Sequence, residues 1–217
     1  MTIPERPEEV NFTSYTCEEY AQHLAAREPI PGGGGAAAMT GALGIALASM
    51  AGAFAVGKPR YAAYEKDLVS HSARAERLRR ELLELVNEDS RQFLLVSDAF
   101  AISKDDPSRA QRIEEALIAA AKPPLRVMEV ICETIALLEE MQVKGSRLLL
   151  SDVGCGAALS RGALEAASHT VFVNTRSMQD RAYAASVNEQ ATALMDTWIP
   201  RAEALSRHVS KHLQGEA

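Results

Sequence analysis

Between Pro29 and Gly57 the chain reads PIPGGGGAAAMTGALGIALASMAGAFAVG, with no charged side chain before Lys58. Few folds accommodate such a run. Its prolines fix the backbone on the way in, and four successive glycines permit backbone conformations and close approaches closed to other residues. The Ala-rich residues beyond them are strong helix formers. This predicts a glycine loop over Pro29–Gly35 feeding a helix over about Ala36–Val56. Large side chains recur at Met39, Leu43, Leu47, Met50 and Phe54, and small ones at Ala37, Gly41, Gly44, Ala48, Ala51, Gly52 and Ala55. The expected arrangement has the large stripe filling a core and the small stripe admitting a second backbone, with the helix buried all round. A charge-free run of this length also suits a membrane span. Its Gly and Ala content favours insertion far less than Leu, Ile or Phe would, and no other segment resembles a span, so the membrane reading is rejected. The run begins too late, after acidic and polar residues, to be a signal peptide.

The rest of the chain supports a helical protein. Hydrophobic residues make up 47% of the 217 and aromatics only 5%, a balance that favours helices packed through small aliphatic side chains over a β-sandwich. The length suits one domain, taken as 1–217 with a loose amino terminus over 1–12. A net charge of −6 argues against nucleic-acid binding, which needs a basic surface. Cys17, Cys132 and Cys155 are far apart and form no metal-type pair, so a reducing, cytoplasmic compartment is expected. The five histidines are equally scattered, and no metal site is expected.

Thr16 and Glu19 have the spacing of a capping box and start a short helix to about Arg27. Lys58-Pro59 interrupts the buried helix. From Arg60 to about Ile102 a seam at three- and four-residue spacing runs through Tyr61, Tyr64, Leu68, His71, Ala75, Leu78, Leu82, Leu85, Asp89, Phe93, Val96 and Phe100. A helix of about 60 Å results, too long for one globule to cover, so a kink or a partner subunit is expected. Asp106-Pro107 opens a helix to about Ala121. Pro123-Pro124 breaks it, and a further helix covers Leu125–Val143. A second Ala/Gly-rich helix spans Leu148–His169, with Gly154, Ala158, Gly162 and Ala166 on its close-packing face. Thr170–Ser177 connects to a last helix over Gln179–His212. The expected fold is all-α, a bundle of about six to seven helices.

Asp89 occupies a seam position between Leu85 and Phe93 that calls for an apolar side chain. A carboxylate there either pairs with or caps a neighbouring helix, or serves as a general acid or base with its pKa raised by burial. Ser151-Asp152 precedes the glycine-containing, Ala-rich stretch from Gly154, and Asp152 reads as an N-cap or as a carboxylate facing a ligand. Asn174 closes a turn or contacts a ligand. Lys58 and Arg60 are solvated charges or hold an anionic substrate at the end of the buried helix. The glycine run lacks the Lys-Ser/Thr pair of a phosphate loop, and no strand precedes it.

PGGGGAAAMTGALGIALASM followed by GKPRY, then EDSRQF and DAF in the long helix, LLLSDVGCGAAL, and VFVN together resemble the formiminotransferase-cyclodeaminase and methenyltetrahydrofolate cyclohydrolase family, over nearly the whole chain from about Thr16. The resemblance implies an all-α homodimer acting on one-carbon tetrahydrofolates without a metal or a permanently bound cofactor. It places the glycine loop, the Asp89 region, Asp152 and Asn174 at or near the folate. Pro59, standing where family members tend to carry a basic residue, departs from the pattern; so do Cys155 and the segment around Arg147. On this footing the expected catalytic residues are Asp89 and Asp152. The expected substrate-binding residues are Gly33, Gly34, Gly35, Lys58, Arg60, Tyr61, Phe93 and Asn174. The expected activity is water addition to 5,10-methenyltetrahydrofolate. The alternatives are ammonia-releasing cyclisation of formiminotetrahydrofolate and a non-catalytic folate-binding helical dimer.

Overall fold

The computed structural model describes residue 6 and residues 9–216. Six α-helices account for most of them: α1 (Cys17–Ala25), α2 (Gly33–Ala53), α3 (Glu65–Ala101), α4 (Arg109–Lys144), α5 (Leu150–Arg176) and α6 (Arg181–Leu213). Short 3₁₀ turns lie at Phe12–Ser14, Pro59–Tyr64 and Arg147–Leu149, and no strand occurs among the described residues. Of the amino-terminal stretch expected to be loose, residues 1–5, 7 and 8 lie outside the described residues, whereas Val10 and Phe12 are buried. Phe12 packs edge-on against Tyr15 and Tyr20, joining this segment to α1. The capping box forms: Glu19 N–H donates to Thr16 Oγ1 at 3.2 Å, and Thr16 N–H donates to Glu19 Oε2 at 2.8 Å.

α2 is the central helix, packed against α3, α4 and α5. It starts at Gly33, so three of the four glycines form its first turn and the loop is shorter than expected. It ends at Ala53 rather than Val56, because the chain turns through Gly57, whose φ of +71° is left-handed. The two stripes have exchanged places relative to the expectation. The small residues Ala37, Gly41, Gly44, Ala48, Ala51, Gly52 and Ala55 are buried, while Leu43 and Phe54 are 54% and 55% exposed and Met39, Leu47 and Met50 are partly so. The reason is steric. A Cβ on Gly44 would lie 2.5 Å from Ser160 Oγ and 3.3 Å from the Gly156 carbonyl, so α2 and α5 touch backbone to backbone, and only a side-chain-poor face can enter the interior. By length and composition α2 suffices to cross a bilayer, yet half of its most apolar window is buried inside the bundle.

The α5 face in this contact is Gly156, Ala157 and Ser160. Of the expected stripe, Gly154 meets Val209 of α6, and Ala158 and Gly162 are exposed. α5 also runs on to Arg176, so Thr170–Val173 and Asn174 are helical rather than a connection.

α3 begins at Glu65, after the 3₁₀ turn opened by Pro59, and its 37 residues span about 55 Å. It is covered by a helix one residue shorter. α4, with 36 residues, runs antiparallel to it, and the pairs Lys144–Asp67, Arg74–Glu140, Arg77–Glu133 and Arg126–Glu81 mark the register along the shared surface. α4 starts at Arg109, two residues beyond Pro107, because Asp106 Oδ1 accepts from Ser108 N–H in a turn of its own. Pro123 and Pro124 do not break it. They are buried in its interior, where each removes an N–H that would have reached the carbonyl four residues back. One of the orphaned carbonyls, Ala120 O, accepts instead from Asn174 Nδ2 at 3.0 Å. α6 opens with Asp180 Oδ1 accepting from Tyr183 N–H.

Candidate active site

The first turn of α2 exposes N–H groups with no intrahelical partner, and Gly32 at the N-cap has no side chain to satisfy them. α3 supplies the missing acceptor. Gly35 N–H donates to Asp89 Oδ2 at 2.9 Å, a contact 54 residues apart in sequence. Gly34 makes it possible: a Cβ there would fall 2.1 Å from Asp89 Oδ1, so any other residue would expel the carboxylate. Asp89 therefore does cap a neighbouring helix. It also lines a cavity of about 330 Å³.

A loop and four helices build that cavity. The loop gives Pro29 and Ile30, and the start of α2 gives Gly32, Gly33 and Gly34. α3 gives Asp89, Phe93, Val96 and Phe100, spaced four, three and four apart on one face. α4 gives Leu117 and Ala120, and α5 gives Thr170, Val173, Asn174 and Ser177. The walls are thus largely apolar, with one carboxylate and a few neutral polar groups. Burial raises Asp89 to about 6 from an ordinary 3.8, opposed only by the Gly35 hydrogen bond, and no neighbouring cation offsets the burial. At neutral pH the group is mostly ionised yet close enough to its pKa to exchange protons with a bound molecule.

Asn174 spends both amide hydrogens on backbone, on Ala120 O at 3.0 Å and Thr170 O at 3.1 Å. That fixes its orientation and leaves Oδ1 as the acceptor at the cavity wall. Phe93, 45% exposed, stands at the mouth. Among the expected residues, the structure brings together Gly33, Gly34, Gly35, Asp89, Phe93 and Asn174. Gly35 touches Asp89 behind the lining.

The remaining four lie at the opposite end of α2, roughly 30 Å away along 20 residues of helix. There Ser146 N–H donates to Ala51 O, and Arg147 N–H donates to Tyr61 Oη at 3.0 Å. Lys58 and Arg60 are exposed beside this contact. Asp152 sits in the first turn of α5, whose N-cap is Leu149, so it is a first-turn acid and not the cap. Within one chain neither Asp152 nor the two cations reach the Asp89 cavity. Thr170, Val173 and Ser177 are not legible as site residues in the sequence, where Thr170–Ser177 reads as a connection. Their spacing with Asn174, at i, i+3, i+4 and i+7, is the helical signature that identifies them. Tyr20 was also missed. Its hydroxyl would stand 3.3 Å from a Cβ on Gly35, just behind Asp89. Among the described residues no group of three or more His, Cys, Asp or Glu side chains is placed to hold a metal ion.

Residues 16–193 match the family model described as formiminotransferase-cyclodeaminase. The chain belongs to that family. It is similar to a methenyltetrahydrofolate cyclohydrolase from Methylorubrum extorquens, with 37% identity over 78% of this chain and 83% of the relative. It is also similar to the formimidoyltransferase-cyclodeaminase of Sus scrofa, with 28% identity over 89% of this chain but only 36% of that longer protein. The crystal structure of formiminotetrahydrofolate cyclodeaminase from Thermotoga maritima superposes with a TM-score of 0.81, covering 92% of this chain and all of that one at 24% identity. The family member described here thus has the helical fold of that enzyme.

Proposed function

We propose that this protein is a methenyltetrahydrofolate cyclohydrolase, adding water to 5,10-methenyltetrahydrofolate to give 10-formyltetrahydrofolate. The observation that carries the reading is the lone carboxylate of Asp89, held by an α2 N–H in the wall of an apolar cavity with no competing cation. The substrate carries a cationic amidinium carbon between N5 and N10. A carboxylate beside it favours the cation over neutral analogues and orients a water on the electrophilic carbon. As the C–O bond forms, Asp89 takes a proton from the water. The tetrahedral adduct then collapses. The C–N5 bond breaks, Asp89 returns its proton to N5, and the hydroxyl of the adduct loses its own proton to become the formyl oxygen on N10. The net products are 10-formyltetrahydrofolate and one proton. Asn174 Oδ1 is available to an N–H of the pterin, and Phe93 to a ring face at the mouth.

A cavity of about 330 Å³ suits the ring system and leaves the benzoylglutamate outside. The exposed stripe on α2 supports a homodimer that completes the site. A two-fold axis crossing α2 near its middle would cover Leu43, Leu47 and Phe54 with their own copies. It would also bring the far end of the partner's α2, where Lys58, Arg60, Tyr61 and Asp152 lie in this chain, over the Asp89 cavity, placing two cations near the substrate's carboxylates. The setting we propose is cytoplasmic, where Cys17, Cys132 and Cys155, all unpaired, stay reduced.

The second reading is formiminotetrahydrofolate cyclodeaminase, in which a protonated Asp89 would hand its proton to departing ammonia. Its raised pKa suits that role as well. The two separate in one assay. Purified protein should speed the loss of methenyltetrahydrofolate absorbance above the spontaneous rate, with an activity that rises with pH through about 6 and then levels as Asp89 ionises. Asp89→Asn should lose about 100-fold or more of it. No acceleration, together with ammonia release from the formimino compound, would assign the second reading; neither activity would leave a folate-binding dimer.

A further inference from the structure

Tyr20 presents a contradiction that the reaction above does not use. Its side chain is 9% exposed, and its hydroxyl, fully shielded from solvent, has no hydrogen-bond partner. A buried hydroxyl left unpaired is unfavourable, and such a group in a folded protein calls for a partner. The capping box at Thr16 fixes the start of α1 and so directs Tyr20, one turn in, toward α2. The ring packs edge-on against Phe12, and the hydroxyl reaches over Gly35. Gly35 is also the residue whose N–H holds Asp89 Oδ2. The Val86 carbonyl lies equally near that Cβ, but the Asp89 carboxylate carries the charge and is the stronger acceptor. Burial, then the charge on Asp89, raise the Tyr20 phenol to about 12, so it remains a donor throughout the working range.

We propose that Tyr20 is a positioning residue for Asp89: its O–H donates to the carboxylate across one bridging water and holds it as the second donor beside Gly35 N–H. With Oδ2 engaged from behind, Oδ1, which leans over Gly34 at the cavity, is the oxygen left to receive a proton from the bound water. The hydrogen bond favours the ionised form of Asp89 and so partly offsets the burial that raises its pKa. Besides Tyr20 and the Gly35 N–H, the cavity that Asp89 lines is neutral: α5 gives Thr170 and Asn174, α4 gives the apolar Leu117 and Ala120, and no charged side chain shifts the carboxyl.

Tyr20→Phe keeps the ring and removes only the donor. The titration of Asp89, followed by carboxyl ¹³C NMR and assigned by its disappearance in Asp89→Asn, should move upward by about one pH unit in Tyr20→Phe. The acid limb of kcat/KM for methenyltetrahydrofolate should move with it. Tyr15→Phe is the control, since Tyr15 belongs to the same aromatic cluster (5.3 Å from Phe12) but lacks the contact with Gly35. An Asp89 titration unmoved in Tyr20→Phe overturns the proposal, and so does an equal movement in Tyr15→Phe, which would mark a packing effect. The rate measurement rests on the cyclohydrolase reading, whereas the NMR titration does not, so an inactive wild-type protein would overturn that reading and leave the Tyr20 result to stand or fall by itself.

Discussion

Asp89 performs two tasks with one carboxylate, and they pull in opposite directions. As a cap it satisfies α2; as a buried charge it is costly. Because its pKa is raised when folded, the protonated form is the one the fold prefers. The associated stability is fully present below about pH 4 and is lost as pH rises through about 6. Asp89→Asn, which keeps an acceptor for Gly35 N–H, should therefore be more stable than the wild type at pH 8, by on the order of 3 kcal/mol, and no more stable at pH 4. Thermal unfolding of the two proteins across that range checks it, and a gap that fails to open with pH would show that the group is not desolvated. A variant both more stable and nearly inactive is the mark of a residue kept for function. Asp89 was legible in the sequence because a charge in an apolar seam violates the pattern. Tyr20 was not, since a tyrosine one turn into an amphipathic helix obeys it, and its meaning comes only from a glycine in a different element.

Among the elements, α4 shows where local rules give way to packing. Two adjacent prolines ordinarily end a helix, and the expectation of a break there was reasonable. The helix continues because both rings are buried and because Asn174, from α5, replaces one lost donor. The sequence holds no direct sign of this, as the repair comes from 50 residues downstream. The same bond turns a helix defect into a means of aiming a side chain at the cavity. Pro124→Ala restores an N–H for Ala120 O and releases Asn174. Its KM should rise about fivefold with little change in kcat, as should that of Asn174→Ala. The double variant should be no worse than either single one, because both remove one interaction. Additive losses would show that the two residues act separately. The exchange of stripes on α2 has a similar origin. Periodicity revealed two faces, but which one turned inward depended on how near α5 could come, and Gly156 and Ser160 decide that.

For the whole molecule, the helical class, the long rod of α3 and the glycine-led start of α2 were all visible in the pattern of residues. What was not visible is that the expected site residues divide between the two ends of a roughly 30 Å helix. A linear motif search collects them without distance. The apolar stripe between those ends connects them only if a second chain covers it. Leu43→Glu should weaken self-association by about a thousandfold, since an isologous contact counts each side chain twice. Sedimentation velocity at micromolar concentration should then find monomer, and activity should fall with the dimer fraction. A monomer of full activity would show that one chain is sufficient.

The separation along α2 carries a genetic consequence. In the homodimer proposed above, Asp89→Asn and the pair Lys58→Ala with Arg60→Ala damage opposite ends of the same rod and each impairs both sites of its own dimer. Mixed and allowed to exchange subunits, they would form hybrids in which one site inherits both lesions and the other inherits neither. Activity should reappear in the mixture, at up to about a quarter of the wild-type level for random pairing.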